Sequence, residues 1–467
     1  MGKIIVNDIH AQINETEISK IFEVKSVSNI QNVVKLALKE KKAISIAGSR
    51  HSMGGQQFGK DTYLIDIKKM NRILGFDKKK GLIEVEAGVE WPDLINYLIT
   101  SQENNNKQWT INQKQTGADN LTIGGSIGTN IHGRGLKMKP FVQDIELFYL
   151  INPRGEILEC SRKKNKELFS LVLGGYGLFG VVTSAVLRLS TRRKMERVVE
   201  VIQIKDLKTY FDKRIKQGFL YGDFQFAINE KNDNFLTTGI FSCYKPAKKS
   251  AVVPPFQKEL NIEDWKKLLY LAHTDKDKAF EIYRQHYLKT SGQVYWSDLM
   301  QLSKYIENYH SMIDKLEHAH ENATEIITEI YVQPNKIADF MKTAAKYLSS
   351  HNVNIIYGTV RKIVKDDETF LPWAKDNYLC IIFNIHTAHT PEGMNNSAEA
   401  FRKLIDLGIQ FGGSYFLTYH TFARKDQILT CYPQFPDFLR LKRKYDPNEV
   451  FQSNWYRHYK EMFSDIL

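Results

Sequence analysis

Apolar residues recur at helical spacing from Ile30 to Lys41, where Ile30, Val33, Val34 and Ala37 share one face. The pattern predicts an amphipathic helix, opened by a capping box of Ser28 and Gln31. A short strand, Ala43 to Ala47, then runs into a glycine-flanked loop. Further on, Ile83, Val85 and Ala87 alternate with Glu84 and Glu86, the period of a strand, and Pro92 starts a helix. From Val142 the chain reads as a hairpin that turns at Asn152-Pro153-Arg154-Gly155 and returns to Cys160. A helix from Lys166 to Leu173 stops at Gly174-Gly175, and the buried strand GVVTSAVLRLS begins at Gly180.

The charged run Arg192-Arg193-Lys194 that closes this strand marks a boundary near residue 195. Beyond it, Tyr, Lys and long helical patterns become frequent, and three strands are read at 325–333, 353–363 and 378–387. Long helices separate them: Asn335 to Asn352, which is amphipathic, and Ser397 to Phe411, which ends at Gly412-Gly413. Strands and helices mixed without strict alternation favour an α+β fold over a doubly wound sheet. No internal repeat or low-complexity segment is present.

The length of 467 residues allows two or three folding units, and 42% hydrophobic with 12% aromatic residues excludes a disordered or fibrous chain. The formal charge of +12 is compatible with nucleic acid, anionic lipid or a phosphate-bearing cofactor. Basic residues are scattered, however, and no dedicated nucleic-acid motif is found. Cys160, Cys243, Cys380 and Cys431 form no CxxC pair and read as free thiols of a reducing compartment. The amino-terminal residues lack the apolar core of a signal peptide, and no transmembrane segment is read, so a soluble cytoplasmic protein is expected.

Three glycine-rich loops carry the candidate chemistry. The first, residues 47–59, follows a strand and contains Gly48, Gly54, Gly55 and Gly59. The second, residues 116–135, combines six glycines with the hydroxyls of Thr122, Ser126 and Thr129. It contains GGSIG, but a second turn, HGRG, stands where a dinucleotide fingerprint needs a helix. The third places Gly174, Gly175, Gly177 and Gly180 before a strand. Glycine lets backbone amides approach a diphosphate closely, so three such turns point to a long phosphate-bearing ligand.

These motifs resemble the FAD-binding family of vanillyl-alcohol oxidase and p-cresol methylhydroxylase, in particular its branch of gulonolactone, alditol and decaprenylphosphoryl-ribose oxidases. The matched stretches are GSRHS (48–52), EVEAGVEWPDL (84–94), TIGGSIGTNIHGRG (122–135), GGYGLFGVVTSAVLRL (174–189) and KYDPNEVFQSNW (444–455). The resemblance implies a two-part FAD-binding domain of the p-cresol methylhydroxylase type, residues 1–195 joined by a returning C-terminal segment, 426–467. An α+β substrate cap domain, 196–425, would lie between them. It implies FAD contacts from Gly48, Ser49, Arg50, His51 and Ser52, and from Gly117, Thr122, Gly124, Gly125, Ser126, Gly128 and Thr129. Further contacts would come from His132, Gly133, Gly180, Val181 and Val182. His51 stands where covalent members bond the flavin 8α carbon; its alternative is a hydrogen bond within the loop. Residues 115–135 hold no cysteine for a second bond. Arg134 would meet a phosphate or solvent.

For the substrate, the resemblance implies side chains projecting from a cap sheet: Glu329 and Tyr331, Arg361, His386, Tyr419 and His420, with Glu329, His386 or His420 as the base. The expected reaction is hydride transfer from a CH–OH group of a polyol, sugar or sugar lactone to flavin N5, with oxygen or another electron acceptor reoxidising the flavin. Relatives carry a lysine near Tyr419, which leaves the substrate and proton path open. His318 and His320 lack a third ligand, so no metal is expected. The alternatives are a flavin-dependent reductase of a carbon–carbon double bond, or a binding protein that keeps the flavin fold without turnover.

Overall fold

The computed structural model describes residues 4–303, 306 and 308–466. Its amino-terminal half is built on two sheets. Strands Lys20–Glu23, Tyr63–Asp66 and Ile44–Ala47 form a parallel sheet with Tyr63–Asp66 in the centre. Against it packs the helix Val27–Glu40, through Ile30, Val33, Val34 and Ala37. The expected capping box is replaced by a single cap: the Ser26 side chain accepts from the Asn29 amide, and Ser28 binds the Ser26 hydroxyl. A cap two residues earlier starts the helix at Val27, because Ser26 is the last residue with extended backbone.

The second sheet is antiparallel and runs in the order Ile157–Ser161, Ile145–Ile151, Val181–Arg188, Leu82–Glu86, Ile73–Asp77. The hairpin and the strand after Gly180 are thus neighbours, as Val181↔Ile151 shows. Glu86 points inward from its strand and binds the exposed Arg72 at 2.8 Å, so the alternation of Leu82–Glu86 ends on a buried carboxylate with a surface partner.

An eight-stranded antiparallel sheet follows, in the order Val294–Trp296, Lys194–Gln203, Thr238–Pro246, Tyr221–Phe226, Ile355–Ile363, Tyr378–Ala388, Ala323–Val332, Ser414–Tyr415. The three strands read from the sequence in this region are present. Lys194–Gln203, Tyr221–Phe226 and Thr238–Pro246 are additional. Helices Ile337–Ser350 and Pro391–Gln410 pack near its Ala323–Val332 end; the second begins six residues earlier than Ser397, because Thr390 caps it and Pro391 opens it.

The C-terminal segment returns to the amino-terminal sheet. The Ile44 amide donates to Val450 O at 2.6 Å and the Gln452 amide to Ile44 O at 2.8 Å, while Trp455 packs on Tyr176 with ring centroids 4.5 Å apart. All four cysteines are buried and free. Among the described residues no helix is long and apolar enough to cross a membrane.

Candidate active site

A cavity of about 920 Å³ lies between the glycine-rich loops and the eight-stranded sheet. Its first wall is the loop after Ile44–Ala47, where Gly48, Ser49, Arg50, His51 and Ser52 all face the space. Ser49 Oγ donates to Glu90, and Arg50, in the left-handed region at φ 60°, reaches Asp66 at 3.2 Å. The second wall holds Gly117, Thr122, Gly124, Gly125, Ser126, Gly128 and Thr129. Thr122 caps the short helix Ile123–Thr129, accepting from the Gly125 amide at 3.2 Å. A Cβ at Gly48 would stand 2.2 Å from Thr122 Oγ1, so the two loops touch only because residue 48 is glycine. Gly180 and Val182 extend the wall; Gly180 has φ +147° and a Cβ there would meet Ile151 O at 2.3 Å.

His51 is half-buried in this wall. Its Nδ1 lies 2.8 Å from His10 Nε2, and its own Nε2 has no hydrogen-bond partner. Burial, then the neighbouring His10 ring, pulls the His51 pKa down to about 3, and burial pulls His10 down to about 4. Both rings are therefore neutral at neutral pH. A side-chain-free strip of glycines, the backbone around it and an orphaned imidazole nitrogen fit an extended dinucleotide with an apolar ring system.

The opposite wall is the sheet. Arg361 lines the cavity, donates from Nη2 to Thr116, and leaves Nε and Nη1 buried without partners. Asp223, paired in register with Arg361, has Oδ1 free of hydrogen bonds, with Arg134 Nη1 3.9 Å away. Gln225 donates to Asp223 Oδ2 at 2.9 Å and leaves its own oxygen unpartnered; Asn384 Oδ1 is also unpartnered. Burying so many unmatched polar atoms is costly unless a ligand matches them. Tyr419 also faces the cavity and donates to Glu329 Oε2 at 3.0 Å.

Several residues expected at the site stand elsewhere. Glu329 is fully buried behind Tyr419, where its Oε1 receives His132 Nε2 at 2.6 Å, the Tyr331 hydroxyl at 2.8 Å and the Cys380 thiol at 2.9 Å. Burial pushes its carboxyl up, but the charge and hydrogen bond of His132, with Cys380 and Arg361, outweigh this and hold it at about 2. His132 is consumed by this contact and by the Trp373 ring 5.0 Å away, so it does not reach the cavity. Gly133 turns behind it, with its amide on Gln113, and Val181 packs into the core. His386 points to Glu325 instead. His420 is stacked on Phe422 with centroids 4.8 Å apart, and burial alone lowers its pKa to about 3; aromatic packing holds it away from the cavity. Arg134 is neither solvated nor among the glycine walls: it lies across the cavity, with Nη2 on Met300 O at 2.6 Å. His318 and His320 are exposed.

The sequence reading missed Asp223, Gln225, Asn384, Glu325, His310 and His10, all cavity residues apart from their differing depths. A signal existed for two of them. In YGDFQF, Asp223 and Gln225 are spaced by two between aromatics, which puts both on one face of a strand.

Comparison with known proteins accords with this geometry. Residues 18–161 match the model of the FAD binding domain, and residues 299–459 match that of D-arabinono-1,4-lactone oxidase. The chain is similar to FAD-linked oxidases of the vanillyl-alcohol oxidase and p-cresol methylhydroxylase type. Its curated relatives include L-gulonolactone oxidase of Bos taurus, 26% identical over 197 residues, which are 42% of this chain and 43% of the relative. L-gulonolactone oxidase of Scyliorhinus torazame is 28% identical over 217 residues, 45% and 46% of the two chains. Mitochondrial L-galactono-1,4-lactone dehydrogenase of Arabidopsis thaliana is 25% identical over 210 residues, 43% and 32%. The matched stretch spans less than half the length of each of these relatives.

Proposed function

We propose that the protein is an FAD-dependent oxidoreductase that oxidises a CH–OH group of a sugar lactone, sugar or polyol. The observation that carries this reading is the single cavity with two unlike walls: glycine-rich loops on one side, and on the other a sheet face of unmatched donors and acceptors. A polyhydroxylated molecule supplies both donors and acceptors at short spacing. Arg361 Nε and Nη1 suit a ring or carbonyl oxygen, while Asp223 Oδ1, Gln225 Oε1 and Asn384 Oδ1 suit hydroxyl protons. The names of the lactone-oxidising relatives support the same substrate class.

Bound FAD supplies the hydride acceptor, which oxygen or another acceptor later reoxidises. The chain itself must orient the carbinol carbon and take the hydroxyl proton. The unpartnered Asp223 Oδ1 in the wall is a carboxylate oxygen able to take the proton, and the Tyr419 phenol, which donates to Glu329 and is kept protonated by burial, helps orient the substrate. In this reading residues 1–195 and 426–467 hold the cofactor, and residues 196–425 form the substrate side. His51 is the attachment point for covalent flavin, through the neutral, unpartnered Nε2. The buried free thiols favour a cytoplasmic site of action.

Anaerobic mixing with aldonolactones, polyols and sugars, followed by admission of oxygen, tests the reaction. Bleaching by a lactone or polyol is expected; bleaching only by reduced nicotinamide with an alkene acceptor would replace this reading with a reductase. Acid precipitation tests the bond: yellow protein in wild type and colourless protein in His51→Ala are expected, whereas free FAD from wild type removes the covalent assignment.

A further inference from the structure

His273, Glu325 and His386 converge from three elements that are distant in sequence. His273 ends the helix Ile262–Thr274, and Glu325 and His386 are direct cross-strand partners on Ala323–Val332 and Tyr378–Ala388. His273 Nε2 lies 3.1 Å and His386 Nδ1 3.2 Å from the same oxygen, Glu325 Oε1. One ligand atom from each residue lies within 4.8 Å of the others.

The hydrogen bonds around this trio fix its polarity. His273 Nδ1 is 2.8 Å from Leu269 O, and a backbone carbonyl only accepts, so Nδ1 carries the proton. Nε2 faces a carboxylate oxygen, which also only accepts, so positive charge lies between the two atoms 3.1 Å apart: a second proton on His273, as an ion pair with Glu325, or a bound cation in its place. The other carboxylate oxygen, Oε2, is already engaged by His310 Nδ1 at 2.8 Å and by the Tyr309 hydroxyl, which leaves Oε1 to the two imidazoles.

We propose that His273 Nε2, Glu325 Oε1 and His386 Nδ1 form a binding site for a divalent transition metal of the zinc class. Two imidazole nitrogens and a carboxylate oxygen are a donor set that zinc accepts, with bonds of about 2.0–2.2 Å and hence tetrahedral ligand separations of about 3.3–3.5 Å. The observed 3.1 and 3.2 Å separations need only a few tenths of an ångström of adjustment, and the two imidazole nitrogens, within 4.8 Å of each other, would close onto a common ion. The supporting contacts are those that orient metal ligands: a backbone carbonyl on the far nitrogen of one histidine, and a phenol and an imidazole on the far oxygen of the carboxylate. The ion ties the helix Ile262–Thr274 to the sheet beside the cavity, which Glu325 and His310 themselves line. The site is separate from the groups assigned above to cofactor and substrate, and its test does not depend on turnover.

The flavin-loaded full chain is equilibrated with ZnCl2, freed of excess ion by gel filtration and analysed for metal by plasma mass spectrometry. About one zinc, or another first-row divalent ion, per chain is expected. Zinc titration calorimetry should show His273→Gln and His386→Gln each weakening binding tenfold or more. His318→Gln/His320→Gln, which removes exposed histidines outside the trio, should leave content and affinity unchanged. No retained ion in wild type after zinc loading overturns the proposal whether or not the variants fold. So does equal retention by wild type and by a His273→Gln/His386→Gln double variant whose flavin content and unfolding midpoint match wild type.

Discussion

Glu325 and Glu329 lie four residues apart on the same face of one strand, Ala323–Val332, and both are buried carboxylates ringed by histidine and tyrosine. Their surroundings nevertheless differ in kind. Glu329 collects four side-chain donors, from His132, Tyr331, Cys380 and Tyr419, inside an aromatic enclosure where Trp373 stacks on Tyr331 at 5.1 Å. Glu325 stands at the cavity wall, and one of its oxygens faces the imidazoles of His273 and His386, which converge from separate elements. A carboxylate sealed among donors organises its neighbours. One whose oxygen meets two imidazole nitrogens beside a cavity has a place for a cation.

The most severe way to break this contrast is Glu329→Leu, which strands four buried donors, the His132 imidazole among them. A loss of about 3–5 kcal/mol in denaturant unfolding is expected, with loss of bound flavin if the enclosure collapses into the cavity. Glu329→Gln, which keeps the shape, should lose less but should flatten the acid limb of stability. The folded carboxyl pKa is about 2 against an ordinary value of 4.5. Its stabilisation is therefore complete above pH 4.5 and lost as pH falls through 2, a span worth roughly 3 kcal/mol. Unfolding midpoints measured across that window in both proteins decide the matter.

On the cavity side, Arg361→Ala should lower kcat/KM for the bleaching substrate by about 100-fold or more, because a charged donor pair on the ligand is lost, while flavin content stays unchanged. Equal kcat/KM in both proteins would remove Arg361 from the substrate site. Glu325→Gln should abolish the rise in unfolding midpoint that zinc gives wild type, whereas Glu329→Gln should retain that rise; a zinc response surviving Glu325→Gln would erase the distinction between the two carboxylates. At neutral pH the smallest effect is expected at His420, held at about 3 by burial. A histidine with a lowered pKa stabilises above pH 6.5 and loses that contribution as pH falls towards 3. His420→Phe should therefore reduce the slope of stability against pH within that window by about 1.4 kcal/mol per unit at most.

Much of the cofactor side was legible because glycine is informative about backbone. The loop glycines mark places where a Cβ would collide, as at Gly48 against Thr122, so the three-loop cradle could be read before any contact was known. The helix Val27–Glu40 was readable from its buried stripe, although its cap was not, since Ser26 and Ser28 both satisfy the pattern. The strand Tyr221–Phe226 escaped notice because Asp223 and Gln225 interrupt its apolar run, and they do so to face a polar cavity. The residues that break the hydrophobic pattern are thus the ones that serve the site.

The sequence by itself determined that a long phosphate-bearing cofactor is held by glycine-rich turns, because backbone conformation and close approach are local properties. It also determined that Glu325 and Glu329 share one strand face, because side chains alternate with period two. Only the tertiary structure decided which polar residues meet the cavity and which are sealed away. Parity cannot distinguish Glu329, covered by His132, Trp373 and Tyr419, from Glu325, which the surrounding helices leave at the wall. That choice depends on what the rest of the chain packs over each position, through contacts as remote as His132 to Glu329, 197 residues apart.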